Sequence, residues 1–111
     1  MKALASRFLD PREHVLPAGV PPGDALEVGC GSGRFLVQLA GRGWNVHGLE
    51  PSLSTAATLR QRASLPVTVG TIDSVDFEAG SFDLVAAYMV LEHLHDPVAD
   101  GHKLAKWLRP G

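Results

Sequence analysis

Residues 25–33 read Ala-Leu-Glu-Val-Gly-Cys-Gly-Ser-Gly, a short apolar run that breaks into three alternating glycines. This pattern predicts a strand, a tight turn and the first turn of a helix. Glycine has no Cβ, so the turn can adopt positive φ and a ligand can approach the backbone closely. A strand, a glycine turn and a helix N-terminus together predict a nucleotide-binding corner.

The spacing of these glycines argues against two common phosphate-binding loops. Gly29, Gly31 and Gly33 follow the pattern G-x-G-x-G, whereas the dinucleotide fingerprint is G-x-G-x-x-G. Arg34 occupies the position of the third dinucleotide glycine, and no G-K-[ST] follows as in a P-loop. A nicotinamide-dependent oxidoreductase is therefore the weaker alternative.

Two acidic residues indicate what the corner binds instead. Glu27 lies on the strand just before the turn, where its carboxylate would repel a pyrophosphate but could hold an ammonium group. Glu50 ends the next apolar run, a position from which an acid commonly accepts hydrogen bonds from ribose hydroxyls. The predicted ligand is a nucleoside that carries positive charge and no phosphate, and S-adenosylmethionine fits this description.

Four segments then carry a family resemblance: LEVGCGSGRF, GWNVHGLEPS, GSFDLVAAYMVLEHLHDP and LRPG. In this order they resemble the class I S-adenosylmethionine-dependent methyltransferases, and most closely the small-molecule, ubiquinone-biosynthesis-like branch. The resemblance covers residues 23–111. It implies methyl transfer from S-adenosylmethionine to a small-molecule acceptor, with oxygen, nitrogen, carbon and sulfur all open as the acceptor atom.

The expected fold class is α/β, a Rossmann-like parallel sheet with flanking helices. Residues 1–22 are predicted to be a helical and loop lead-in with a short helix over 2–9, and residues 23–111 the cofactor-binding domain. Alternating strands and helices imply parallel pairing, with the strands ordered 3-2-1-4. The strands are expected at 25–28, 46–49, 66–69 and 81–87, and the helices at 33–40, 53–63, 90–94 and 97–108.

Members of the family continue beyond LRPG into further strands, which this sequence does not contain. The domain is therefore expected to be incomplete at its C-terminus, with the fourth strand as an exposed apolar edge through which chains could self-associate. An alternative function follows from the same observation: a nucleoside-binding fragment without catalytic activity of its own.

The resemblance assigns a set of cofactor-binding residues. Glu27 would lie near the methionine amino group and Glu50 on the ribose, while a backbone amide at Ile72 and the Asp73 carboxylate would read the adenine. Relatives commonly carry an acid where this chain has Thr71. The complete set is Glu27, Gly29, Cys30, Gly31, Gly33, Glu50, Pro51, Thr71, Ile72, Asp73, Ala87 and Tyr88.

Catalytic and metal-binding groups are sparse. His93 is the one candidate for a general base, which this chemistry needs only if the acceptor must lose a proton. His93 and His95 are two residues apart, so on a helix they point in different directions, and no metal site is predicted.

Composition narrows the class of protein further. The formal net charge of −2 over 111 residues gives no basic footprint for nucleic acid. No apolar stretch approaches the length of a bilayer span, and the N-terminus lacks the apolar core of a signal peptide. One cysteine excludes an intrachain disulfide and suits the cytoplasm.

Overall fold

A computed structural model describes residues 8–9, 21–87 and 96–110. Within these ranges strands and helices alternate along the chain, as the sequence predicts. The elements are β1 (Phe8–Leu9), β2 (Asp24–Val28), α1 (Arg34–Gly41), β3 (Asn45–Glu50), α2 (Leu53–Ala63), β4 (Val67–Val69), β5 (Leu84–Ala87) and α3 (Pro97–Trp107).

The strands form one parallel sheet in the order β1-β5-β2-β3-β4. Four of them, β4-β3-β2-β5, reproduce the predicted 3-2-1-4 order. Strand β2 lies at the centre, with Glu27 in register with Gly48 of β3 and Ala86 of β5. The two strands at which the order reverses are therefore β2 and β5, and a ligand is expected at their carboxyl ends.

Side chains of β2 alternate between two buried layers, as period-2 geometry requires. Ala25 packs into a cluster with Phe35 and Leu39 of α1. Leu26 faces the opposite layer, where Trp107 of α3 is fully buried. Helices thus cover both faces of the sheet, and functional side chains can reach a ligand chiefly at the ends of strands.

Residues 8–9 correct two predictions. The helix expected over 2–9 is wrong at Phe8–Leu9, which pair in parallel with Val85 and Ala86 of β5; residues 2–7 lie outside the described residues. The exposed edge expected on the fourth strand is wrong for the same reason, because β1 supplies partners to backbone groups that would otherwise be unpaired. The self-association that this edge suggested loses its premise.

The loop between β4 and β5 is anchored by Phe77. Its ring makes edge-to-face contacts with His47, Phe82 and Trp107 at centroid distances of 5.5, 5.2 and 4.9 Å. Edge-to-face contacts between aromatic rings add to the free energy of burial alone. The loop that begins with Thr71 is therefore held against α3.

The amino-terminal edge of the sheet carries a closed charge network. The Arg109 guanidinium donates to Asp24 at 2.8 Å and to Asp83 at 2.5 Å. Asp83 also accepts from the Asp24 backbone N–H at 2.9 Å. These contacts tie the segment after α3 to the starts of β2 and β5.

Candidate cofactor site

The glycine turn has the backbone conformation that its sequence predicts. Gly29, Gly31 and Gly33 have φ values of 72°, 52° and 76°, a left-handed region that other residues rarely adopt. Gly29 donates to the Leu49 carbonyl at 2.7 Å, and Gly33 donates to the Cys30 carbonyl at 2.8 Å. The turn is thus fixed to the end of β3 before α1 begins.

The glycines of the turn have different surroundings. A Cβ on Gly31 would meet nothing within 4 Å, so this position is open to a ligand. A Cβ on Gly33 would lie 2.6 Å from the Leu59 side chain of α2. Gly33, predicted as a cofactor residue and as the first residue of the helix, is the N-cap of α1 and lets the turn pack closely on α2.

Glu50 connects the two loops of the corner. One carboxyl oxygen accepts from the Gly31 N–H at 3.1 Å, and the other accepts from the Ser52 N–H at 2.9 Å. Ser52 in turn caps α2 by accepting from the Thr55 N–H at 3.2 Å. A carboxylate has about four acceptor positions, so both oxygens retain capacity for ligand hydroxyls.

Glu27 lies beneath the turn with only 3 % of its surface exposed. Its Oε1 has no hydrogen-bond partner within the ranges that the structure describes, although an unpartnered buried polar group is costly. Burial, followed by the nearby Glu50 carboxyl, raises the pKa of Glu27 to about 8. Two carboxyl groups therefore share this edge of the sheet, and one of them is incompletely satisfied.

Glu27 has small residues as its register partners on both neighbouring strands, a feature that sequence reasoning did not single out. The residues in register with it are Gly48 and Ala86. A Cβ on Gly48 would lie 2.8 Å from Cys30 Sγ and 3.2 Å from Leu36. The glycine in the middle of a strand was the available signal, since such a residue often marks a close approach.

The side chain of Cys30 points away from the proposed ligand position. It is 4 % exposed and packs in a cluster with Leu36, Leu59 and Val67. Burial and the two nearby carboxyl groups raise the pKa of the thiol to about 12. If Cys30 contacts the cofactor, its backbone atoms therefore make the contact.

The segment predicted to read adenine follows β4. The Thr71 N–H donates to the Ser74 side chain at 2.8 Å, and the Ile72 side chain is buried in the core. Asp73 is exposed and lies close to Asp100, which sequence reasoning did not identify. A hydrogen bond with Asp73, followed by burial, raises the pKa of Asp100. No sequence signal marked Asp100, because an acid in a helix is ordinarily solvated.

The remaining predicted site residues divide between described and undescribed positions. Pro51 is exposed directly after β3, and Ala87 is the last residue of β5. Both therefore flank the carboxyl ends of the central strands, as predicted. Tyr88 and the candidate base His93 lie outside the described residues, as does the short helix expected at 90–94.

The described residues fit the chemistry of S-adenosylmethionine on three observations. The unpartnered buried oxygen of Glu27 calls for a cation, and the cofactor carries an ammonium group and a sulfonium. Gly31 presents open backbone, so a ligand can approach it. Glu50 is oriented by two backbone N–H groups and can accept hydrogen bonds from ribose hydroxyls.

Comparison with protein families gives a match over residues 26–111 to a model described as a methyltransferase domain. The chain belongs to this methyltransferase domain family. The match begins one residue before Glu27 and includes every predicted cofactor-binding residue. Family membership confirms the fold class and S-adenosylmethionine as the cofactor class predicted from the sequence.

Individual relatives of this chain agree with the family. A ubiquinone biosynthesis O-methyltransferase from Hahella chejuensis is 34 % identical over 94 % of the chain and 44 % of the relative. A nocamycin O-methyltransferase from Saccharothrix syringae is 39 % identical over 93 % of the chain and 37 % of the relative. The chain spans about half the length, or less, of the curated relatives it matches.

A solved structure supports the same assignment. A SAM-dependent methyltransferase from Thermotoga maritima superposes with a TM-score of 0.71 and 27 % identity, covering 97 % of this chain and 50 % of that protein.

Among the residues that the structure describes, no helix combines the length and the apolar character needed to cross a bilayer.

Proposed function

We propose that this chain forms the S-adenosylmethionine-binding part of a methyltransferase that acts on a small-molecule hydroxyl group. The observation that carries the proposal is the pairing of Glu27 and Glu50 beside the open Gly31 backbone. The two relatives named above are both O-methyltransferases, which supports oxygen as the acceptor atom.

Cys30, the one cysteine, is a buried free thiol, which supports a reducing compartment such as the cytoplasm.

Each residue of the site has a separate task in this proposal. Glu50 holds the ribose and keeps the glycine turn joined to the N-terminus of α2. Glu27 balances the ammonium group of the methionine portion, and Ile72 and Asp73 lie beside the adenine. Positioning of two reactants can lower a barrier by ~7–11 kcal/mol. When bound, the cofactor supplies an activated methyl group, so the protein's contribution is binding and orientation.

Calorimetric titration tests the cofactor assignment. The 111-residue chain is titrated with S-adenosylhomocysteine and separately with NADH. We expect micromolar binding of the first and none of the second. Glu50→Ala removes the acceptor of two backbone N–H groups as well as the ribose contact, so its affinity should fall by about 100-fold, since hydrogen bonds to charged groups contribute about 1.5–3 kcal/mol each.

Glu78→Gln is the matched control, because Glu78 is an exposed acid outside the site. Its affinity for S-adenosylhomocysteine should equal that of the wild type. Binding of NADH, or equal loss of affinity in both variants, would contradict the assignment of the corner. The proposed acceptor is tested by following the transfer of a labelled methyl group from S-adenosylmethionine. We expect transfer to a phenol or enol in preference to an amine.

A further inference from the structure

Among the described residues, no cation forms an ion pair with Glu27. Among residues 21–87 and 96–110, the ion pairs of Lys103 and Arg109 involve other acids, and Glu27 Oε1 has no hydrogen-bond partner. Only 3 % of the residue's surface is nonetheless exposed, and its neighbour is a second carboxyl group. An ionised Glu27 would therefore be unfavourable in the empty site.

We propose that Glu27 carries a proton in the free protein and loses it when the ligand's ammonium group binds, so that cofactor binding releases one proton to solvent. This inference rests on the proposed function. The carboxyl O–H bond breaks and the proton passes to buffer. The ligand ammonium keeps its own protons and balances the new carboxylate.

Hydrogen bonding decides which of the two acids holds the proton. Both oxygens of Glu50 accept backbone N–H groups, and hydrogen bonds of this kind favour the charged form of an acid. Glu27 Oε1 has no such donor. The proton is therefore better accommodated on Glu27.

The groups around Glu27 agree with this assignment. Its register partners, Gly48 on β3 and Ala86 on β5, carry no charge, and the Glu50 carboxyl at the end of β3 is the acid that acts on it. From the glycine turn it faces the Cys30 thiol, whose pKa is raised to about 12 and which therefore remains neutral. Burial and Glu50 raise the pKa of Glu27 itself to about 8, and an adjacent ammonium would lower it.

The number of protons released on binding is measured by calorimetry. S-Adenosylhomocysteine is titrated into the 111-residue chain at pH 7 in phosphate, MOPS and Tris, whose ionisation enthalpies differ. The slope of binding enthalpy against ionisation enthalpy should correspond to about one proton released. Affinity should rise about tenfold per pH unit from pH 6 to 8 and then level off, since one pKa unit is a tenfold change.

Two controls locate the proton. Glu27→Gln should bind with no proton release and with an affinity independent of pH over the same interval, whereas Glu78→Gln should behave as the wild type. 5′-Methylthioadenosine has the same nucleoside but lacks the α-ammonium group of the amino-acid portion, and should bind without releasing a proton. Ordinary binding of S-adenosylhomocysteine with a slope of zero, or equal release with 5′-methylthioadenosine, would overturn the inference and leave the proposed function intact.

A second measurement decides the protonation state without any ligand. Side-chain carboxyl carbons of ¹³C-labelled glutamate are followed by NMR from pH 4 to 10, and the Glu27 signal is assigned by its absence in Glu27→Gln. Titration near pH 8 supports the inference, and titration below pH 5 overturns it. If S-adenosylhomocysteine does not bind at all, the proposed function fails while this measurement still decides the state of Glu27.

Discussion

The two ends of β2 treat their acidic residues in opposite ways. Asp24 begins the strand and, together with Asp83, is paired with the Arg109 guanidinium. Glu27 lies close to the other end of the same strand beside Glu50, and neither acid has an ion pair among the described residues. The acids of the amino-terminal edge have a cation as partner, whereas within the described part of the chain those of the carboxyl-terminal edge have none, and a ligand could supply it.

Exposure sharpens this contrast. The Arg109, Asp24 and Asp83 side chains are 41 %, 37 % and 38 % exposed, so solvent moderates their interactions. Glu27 is almost fully buried, so the free-energy cost of ionising it without a partner is far larger than for an exposed acid. Burying an unpaired acid lowers the stability of the empty protein, which is the expected signature of a site arranged for binding rather than for folding.

The largest effect is expected from Glu27→Gln in alkaline solution. The pKa of Glu27 is raised from 4.5 to about 8 in the folded state, so its contribution to stability is fully present below pH 4.5 and is lost as pH rises through 8. The complete loss is roughly 5 kcal/mol. In urea unfolding, the variant should be about 3–5 kcal/mol more stable than wild type at pH 9 and nearly equal at pH 4.5. Equal stability at both pH values would remove the contrast between the two edges.

The next largest effect is expected from Gly33→Ala, which tests whether the carboxyl-terminal edge depends on backbone shape. A left-handed φ is unfavourable for alanine by about 1–2 kcal/mol, and the new methyl group would overlap Leu59. We expect a loss of about 2–4 kcal/mol in thermal or urea unfolding. Gly41→Ala is the matched control, since its Cβ meets no atom within 4 Å and its stability should be unchanged or slightly higher.

A smaller loss is expected from Arg109→Met at the opposite edge. The change leaves Asp24 and Asp83 together without their cation, and should lower stability by less than Gly33→Ala does because the network is partly exposed. The difference from wild type should shrink in concentrated salt, which screens exposed charges. Affinity for S-adenosylhomocysteine should stay the same, and a marked fall would show that the edges are not independent.

The smallest effect concerns the reactivity of the Cys30 thiol in the folded protein. A thiolate there would add a third negative charge beside Glu27 and Glu50, and burial together with these acids raises the thiol pKa to about 12. Ellman's reagent should therefore leave the native protein unlabelled and react with one thiol after denaturation. Rapid labelling of the folded chain would mean that this edge is more open than the structure shows.

The central strands and the acids of the corner could be predicted from the sequence because their signals are local. The apolar run before Gly29 and the apolar run ending at Glu50 each depend on neighbouring residues. The functional roles assigned to these residues stay predictions until binding is measured.

Features that depend on distant pairing were not predictable. Phe8–Leu9 pair with β5 far along the chain, and Arg109 joins residues at the starts of two strands. Gly48 is a glycine because the turn that contains Cys30 packs against it. In each case the deciding contact is made by a residue that a short sequence window does not include.

The position of β2 between β3 and β5 also bears on how the chain folds. Its partner Gly48 follows Glu27 after one helix, whereas its partner Ala86 follows only after two helices and a long loop. Long-range pairing must overcome the entropy of closing a large loop and is therefore slow. Glu27 would lose its water late in folding, so ionising it should accelerate unfolding more than it slows folding.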